Sequence, residues 1–151
     1  MKNSYLRFAM MIAASALLMF AMMYLNTWSV DHVWFSWTRA FMTMIMAATM
    51  AVVMLAFMLN MYRNRMANIA IVSSSILLFI LAIYLVRSQT TVGDVAYMKA
   101  MIPHHSIAIL TSTRARISDP RVRKLADGIV ETQLREISEM EALIADLESK
   151  R

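Results

Sequence analysis

The sequence predicts an all-α protein, with three membrane-spanning helices followed by a two-helix hairpin. Three observations carry this. Hydrophobic residues make up 60% of the 151-residue chain, too large a share for an ordinary soluble domain. They concentrate in three runs of about 20 residues, the length that crosses a hydrocarbon layer. Beyond them the apolar residues fall back to helical spacing behind two start signals, Asp94 and Ser118-Asp119-Pro120. The division places residues 1–88 in a membrane domain and residues 89–151 in an outer helical-hairpin domain.

The first span covers about residues 5–25, with Arg7 its one charge. It ends in Met-Met-Tyr-Leu-Asn and lacks the small-residue pattern of a signal cleavage site, so it reads as a retained helix. A short polar loop follows, carrying Trp28, Trp34 and Trp37 with Asp31 and His32 between them. Three Trp beside two span ends fit an interfacial aromatic belt. His32 reads as a solvated loop residue, with metal entry as the alternative. The second span covers about residues 39–61. In it Met42, Met46, Met50, Met54 and Met58 recur every four residues, with Met44 and Met61 added. Such a repeat drifts about 40° per step and winds slowly round a helix. It serves either as adaptable packing or as a ladder of thioethers for a soft cation. Arg63 and Arg65 sit in a tight basic connection. The third span covers about residues 67–86, and its Ser73, Ser74 and Ser75 offer a small face to a neighbouring helix.

In the outer domain, Asp94 is suited to cap a helix running to about Arg116, with Thr91 as an alternative start. Pro103 removes one hydrogen bond inside that helix and predicts a bend just before His104 and His105. Asp119 followed by Pro120 starts the last helix, which runs to near Lys150. Val122, Leu125, Ile129, Gln133, Ile137, Met140, Ile144 and Leu147 make one stripe along it.

Charge fixes an orientation. Residues 1–86 carry Lys2, Arg7, Arg39, Arg63 and Arg65 against Asp31 alone, whereas residues 87–151 nearly balance, with ten basic against nine acidic residues. The excess belongs to membrane flanks, and nucleic acid is not an expected partner. The positive-inside rule places the N-terminus and the second connection in the cytoplasm. The outer domain then lies on the periplasmic or extracellular side of the cytoplasmic membrane. With no Cys in the chain, disulfides and thiolate metal sites are excluded.

Met is the compositional anomaly, at 17 residues. Fourteen fall within residues 1–66 and none between Ala67 and Tyr97. The remaining three include Met98 and Met101, in the stretch Met98-Lys-Ala-Met101-Ile-Pro-His104-His105. On a helix Met98, Met101 and His105 fall within about 60° of one another, and His104 lies on the flank. Thioether with imidazole is a soft donor set, suited to Cu(I) and Ag(I) rather than to Mg²⁺ or Ca²⁺. From spacing alone the same residues also read as core fillers beside a surface His pair.

The segment from Asp94 to Leu147 resembles the domain-of-unknown-function 305 family, a ferritin-like, copper-associated helical domain. The resemblance rests on Met98, on Met101-Ile-Pro-His104-His105, and on Gln133-Leu-Arg-Glu136-Ile137-Ser-Glu-Met140. It implies a metal-tolerance role, with Cu(I) or Ag(I) held by Met98, Met101, His104, His105 and Met140. It also implies Gln133 and Glu136 as supporting or weaker ligands. The chain differs from larger members in having one helix pair and three membrane spans.

One helix pair cannot bury a full core alone. Two chains are therefore expected to join through their apolar stripes as a four-helix, ferritin-like bundle. The expected function is a membrane-anchored Cu(I)/Ag(I)-binding protein, not an enzyme. A di-iron oxidase on such a bundle requires Glu-x-x-His units, and the chain contains none. The alternative is a non-metal assembly module, which leaves the uneven Met distribution without a reason.

Overall fold

The structure is a computed structural model describing residues 2–150. Among the described residues the chain forms five α-helices and one short 3₁₀ turn, with no strand. The helices are α1 (Lys2–Met22), α2 (Trp37–Phe57), α3 (Arg65–Ser88), α4 (Asp94–Arg114) and α5 (Pro120–Ser149); the 3₁₀ turn is Val30–His32. Helices α1, α2 and α3 are long and apolar enough to cross a membrane.

The chain divides into two compact units. The first contains α1, α2 and α3. Its core gathers Phe8 of α1, Ala51 and Leu55 of α2, and Tyr62, with Ile71 and Val72 of α3 packed against it. Tyr62 meets Phe8 edge-on at 5.3 Å between ring centres, the approach that aromatic quadrupoles favour. Arg39, the charge inside the second apolar run, is buried and donates from its guanidinium to the Met23 carbonyl. A cation there satisfies a carbonyl left over at the C-terminus of α1 and complements its dipole.

Span ends differ from the expected ones by a few residues. Helix α2 stops at Phe57 rather than residue 61. Met58 N donates to both Met54 O and Leu55 O, and Met61 N to Met58 O at 2.9 Å, so the chain tightens into a turn. Met58 and Met61 therefore stand beyond the helix, and the four-residue ladder ends at Met54. Asn64 then starts α3, its side chain accepting from Ala67 N at 3.1 Å. At the other end Gln89 adopts φ 52°, in the left-handed region, and closes α3.

The second unit joins Tyr24–Trp37 to the segment beginning at Val92. The first loop thus groups with the C-terminal helices. Helices α4 and α5 pack as a hairpin. Their core is Met98, Ile102 and Ile109 of α4 with Ile137 and Ile144 of α5. Burying each such side chain contributes about 1.5–3 kcal/mol. Trp34 of the loop packs against the same cluster.

Helix α5 begins as its residues predict: Asp119 caps, accepting from Arg121 N at 2.8 Å, and Pro120 takes the first helical position. Helix α4 does not. Gly93 holds the cap position without a side-chain bond, and Asp94 is already helical. Its carboxylate faces the positive end of the helix dipole instead of capping it. The helix runs on through Pro103, which is fully buried.

A candidate metal-binding cleft between α4 and α5

Hairpin packing turns one face of α4 toward one face of α5. Between them lies a cleft of about 580 Å³. Helix α4 contributes Met98, Met101 and His105, together with Asp94 and Tyr97. Helix α5 contributes Met140, Glu136, Glu139, Leu143 and Leu147. Four of the five expected ligands therefore meet around one space. Its donors are three thioether sulfurs and one imidazole, beside the carboxylates of Asp94, Glu136 and Glu139 and the Tyr97 hydroxyl.

His104 is elsewhere. It is exposed and absent from the cleft, and its ring lies 6.1 Å from that of His105 in an edge-on arrangement. Adjacent helical residues point 100° apart, so one ring faces α5 and the other faces away. Met98 has a double position: it lines the cleft and is also part of the hairpin core, 7% exposed.

His105 is the most constrained of these groups. Its Nδ1 lies 2.9 Å from the Met101 carbonyl oxygen, one turn earlier. Its Nε2 lies 2.8 Å from Glu136 Oε2. A neutral imidazole has one N–H and serves one acceptor; the imidazolium serves both. With the proton on Nδ1, the backbone carbonyl fixes the ring and the Nε2 lone pair faces the cleft. That is the tautomer in which a histidine binds a metal through Nε2. The three sulfurs and this nitrogen are donors of the kind a soft monovalent cation takes, with Nε2 free for it once Glu136 releases its contact.

Glu136 is itself held. Gln133 Nε2 donates to the same Oε2 at 3.4 Å. Gln133 thus reaches His105 only through Glu136. Among the described residues no group of three or more His, Cys, Asp or Glu is placed to hold a metal ion.

Two features escaped the sequence. Tyr97, Glu139 and Leu143 line the cleft; the spacing of Glu136, Met140, Leu143 and Leu147 along one face of α5 was the available signal. His32 is not a solvated loop residue. Its Nδ1 lies 2.9 Å from Ser106 Oγ on α4, and Ser106 is fully buried. The same oxygen accepts from Trp28 N at 2.7 Å. A small hydroxyl on the back of α4 thus anchors the first loop, and nothing local in the sequence marks that pairing across 74 positions.

Residues 85–151 match the family described as Domain of unknown function (DUF305). An uncharacterized protein of Acanthamoeba polyphaga mimivirus is 39% identical over 72 residues, covering 46% of this chain and 47% of that protein. The chain thus spans about half the length of this relative. No solved structure matches this chain.

Proposed function

We propose, from the match of residues 85–151 to the DUF305 family, that this is a membrane-anchored Cu(I)/Ag(I)-binding protein. It holds the ion in the cleft between α4 and α5 for copper tolerance or handling, without covalent chemistry. The convergence of Met98, Met101, His105 and Met140 on one cleft carries the proposal. Thioethers are weak ligands for hard cations and good ones for Cu(I). The Nδ1 contact to Met101 O supports presentation of Nε2. His104, exposed outside the cleft, is not part of this proposed donor set.

The proposed site faces the outer side of the cytoplasmic membrane. An odd number of spans puts the loop after α1 and the segment after α3 on the same side. The grouping of Tyr24–Trp37 with Val92–Arg151 in one unit supports this placement. The basic connection holding Arg63 and Arg65 then lies in the cytoplasm.

Anaerobic competition titration of the full chain in detergent with Cu(I), read with X-ray absorption, tests the assignment. The expected spectrum shows sulfur and nitrogen neighbours. Absence of tight uptake, or a shell of oxygen alone, overturns it. Under the alternative, a non-metal assembly module, replacing Met101, His105 and Met140 together leaves every metal readout unchanged.

A further inference from the structure

A second cleft, of about 600 Å³, lies in the membrane unit where α2 turns into α3. Its walls are Leu55, Leu59, Ile69 and Val72, and two cations, Arg63 and Arg65, line it as well. We infer that this cleft binds one anionic phospholipid, with the headgroup phosphate on Arg63 and Arg65 and an acyl chain along the apolar wall.

Charge decides the occupant. Residues 1–23 and 38–91 contain Lys2, Arg7, Arg39, Arg63, Arg65 and Arg87, and no Asp or Glu. No carboxylate of this unit is available to pair with Arg63 or Arg65. Arg63 uses Nε alone, donating to Asn60 O at 3.4 Å. Both guanidinium forks remain suited to bidentate phosphate contact.

The mouth of the cleft is also held rigid. Tyr5 OH donates to Asn68 Oδ1 at 2.8 Å, and Asn68 Nδ2 donates to Tyr62 O at 2.7 Å. Asn64 N donates in turn to Tyr5 OH at 3.1 Å. Backbone on both sides of Arg63 and Arg65 is thus tied to α1 and α3, and little ordering is lost when a ligand arrives. An apolar wall ending in paired cations matches an amphiphile with an anionic head, whereas free phosphate leaves the wall uncovered.

The test is native mass spectrometry of the full chain, without metal, released from nanodiscs of equal phosphatidylglycerol and phosphatidylcholine. One cation near an anionic surface shifts partitioning about fivefold, so the pair sets a ceiling of about thirtyfold for phosphatidylglycerol. The expected result is one retained phosphatidylglycerol per chain, lost in Arg63→Gln/Arg65→Gln and reduced in Leu59→Trp, which fills the wall without altering charge. Arg7→Gln, outside the cleft, should retain it. Equal retention of the two lipids overturns the inference, as does a preference that survives the double variant or disappears equally with Arg7→Gln. Displacement by millimolar inorganic phosphate also overturns it, since that marks a headgroup site without a chain.

Discussion

His105 and His104 are neighbours in sequence and opposites in setting. His105 is clamped by a backbone carbonyl and a carboxylate on the wall of the cleft; His104 is exposed outside it. A ring already oriented surrenders less entropy on binding, and removing even the groups that support a metal ligand weakens affinity by about 10–100-fold. His105→Ala should therefore weaken Cu(I) binding by about that factor, and His104→Ala by distinctly less. Competition titration of the two single variants checks this, and equal losses would place both rings on the ion. The shared face of Met98, Met101 and His105 was legible because i, i+3 and i+7 spacing sets them together before any fold is known. The contact between His105 and Glu136 was not, because it joins residues 31 apart through hairpin packing.

Individual helices were legible wherever their termini carry chemistry of their own. Asp119-Pro120 marks the start of α5 in the sequence and starts it in the structure. By contrast α2 ends four residues before its apolar run does, because hydropathy cannot record where Met58 exchanges helical for turn hydrogen bonds. Two residues of the Met series, Met54 and Met58, pack against the core of the membrane unit. The Asp119 cap carries a pH dependence. Its side-chain bond to Arg121, then the bond from Arg121 N, hold its carboxyl below the ordinary carboxylate range. A lowered folded value means that the cap's contribution is complete above the ordinary value. It is lost as pH falls through the lower, folded one. Amide exchange at Arg121 and Val122 should accelerate across that acid window. Asp119→Asn keeps a capping oxygen and should remove the dependence; an unchanged profile would assign it to another group.

For the molecule as a whole, the hairpin leaves the question of what covers its outer face. Ile137 and Ile144 turn into the core, but Val122, Leu125, Ile129 and Leu143 remain exposed. At 100° per residue these four, with Glu136 and Met140, lie within about 60° of one another on α5. The apolar stripe read from the sequence is therefore only partly used within one chain, and its unused part continues along the flank that lines the cleft. A second copy laid on that flank would bury the stripe and cover the mouth of the cleft, shielding a Cu(I)–thioether site from water. Mass photometry of the full chain in detergent should accordingly give twice the 17.2 kDa chain mass after correction for bound detergent. Leu125→Glu with Ile129→Glu places charges on the stripe, away from the cleft-lining residues, and should return the protein to one chain. If the cleft is completed by the partner, that monomer should also bind Cu(I) more weakly, although every side chain that lines its own cleft is intact. A dimer that survives both substitutions would locate the contact in the spans, and a wild-type monomer with full Cu(I) affinity would show that one hairpin suffices.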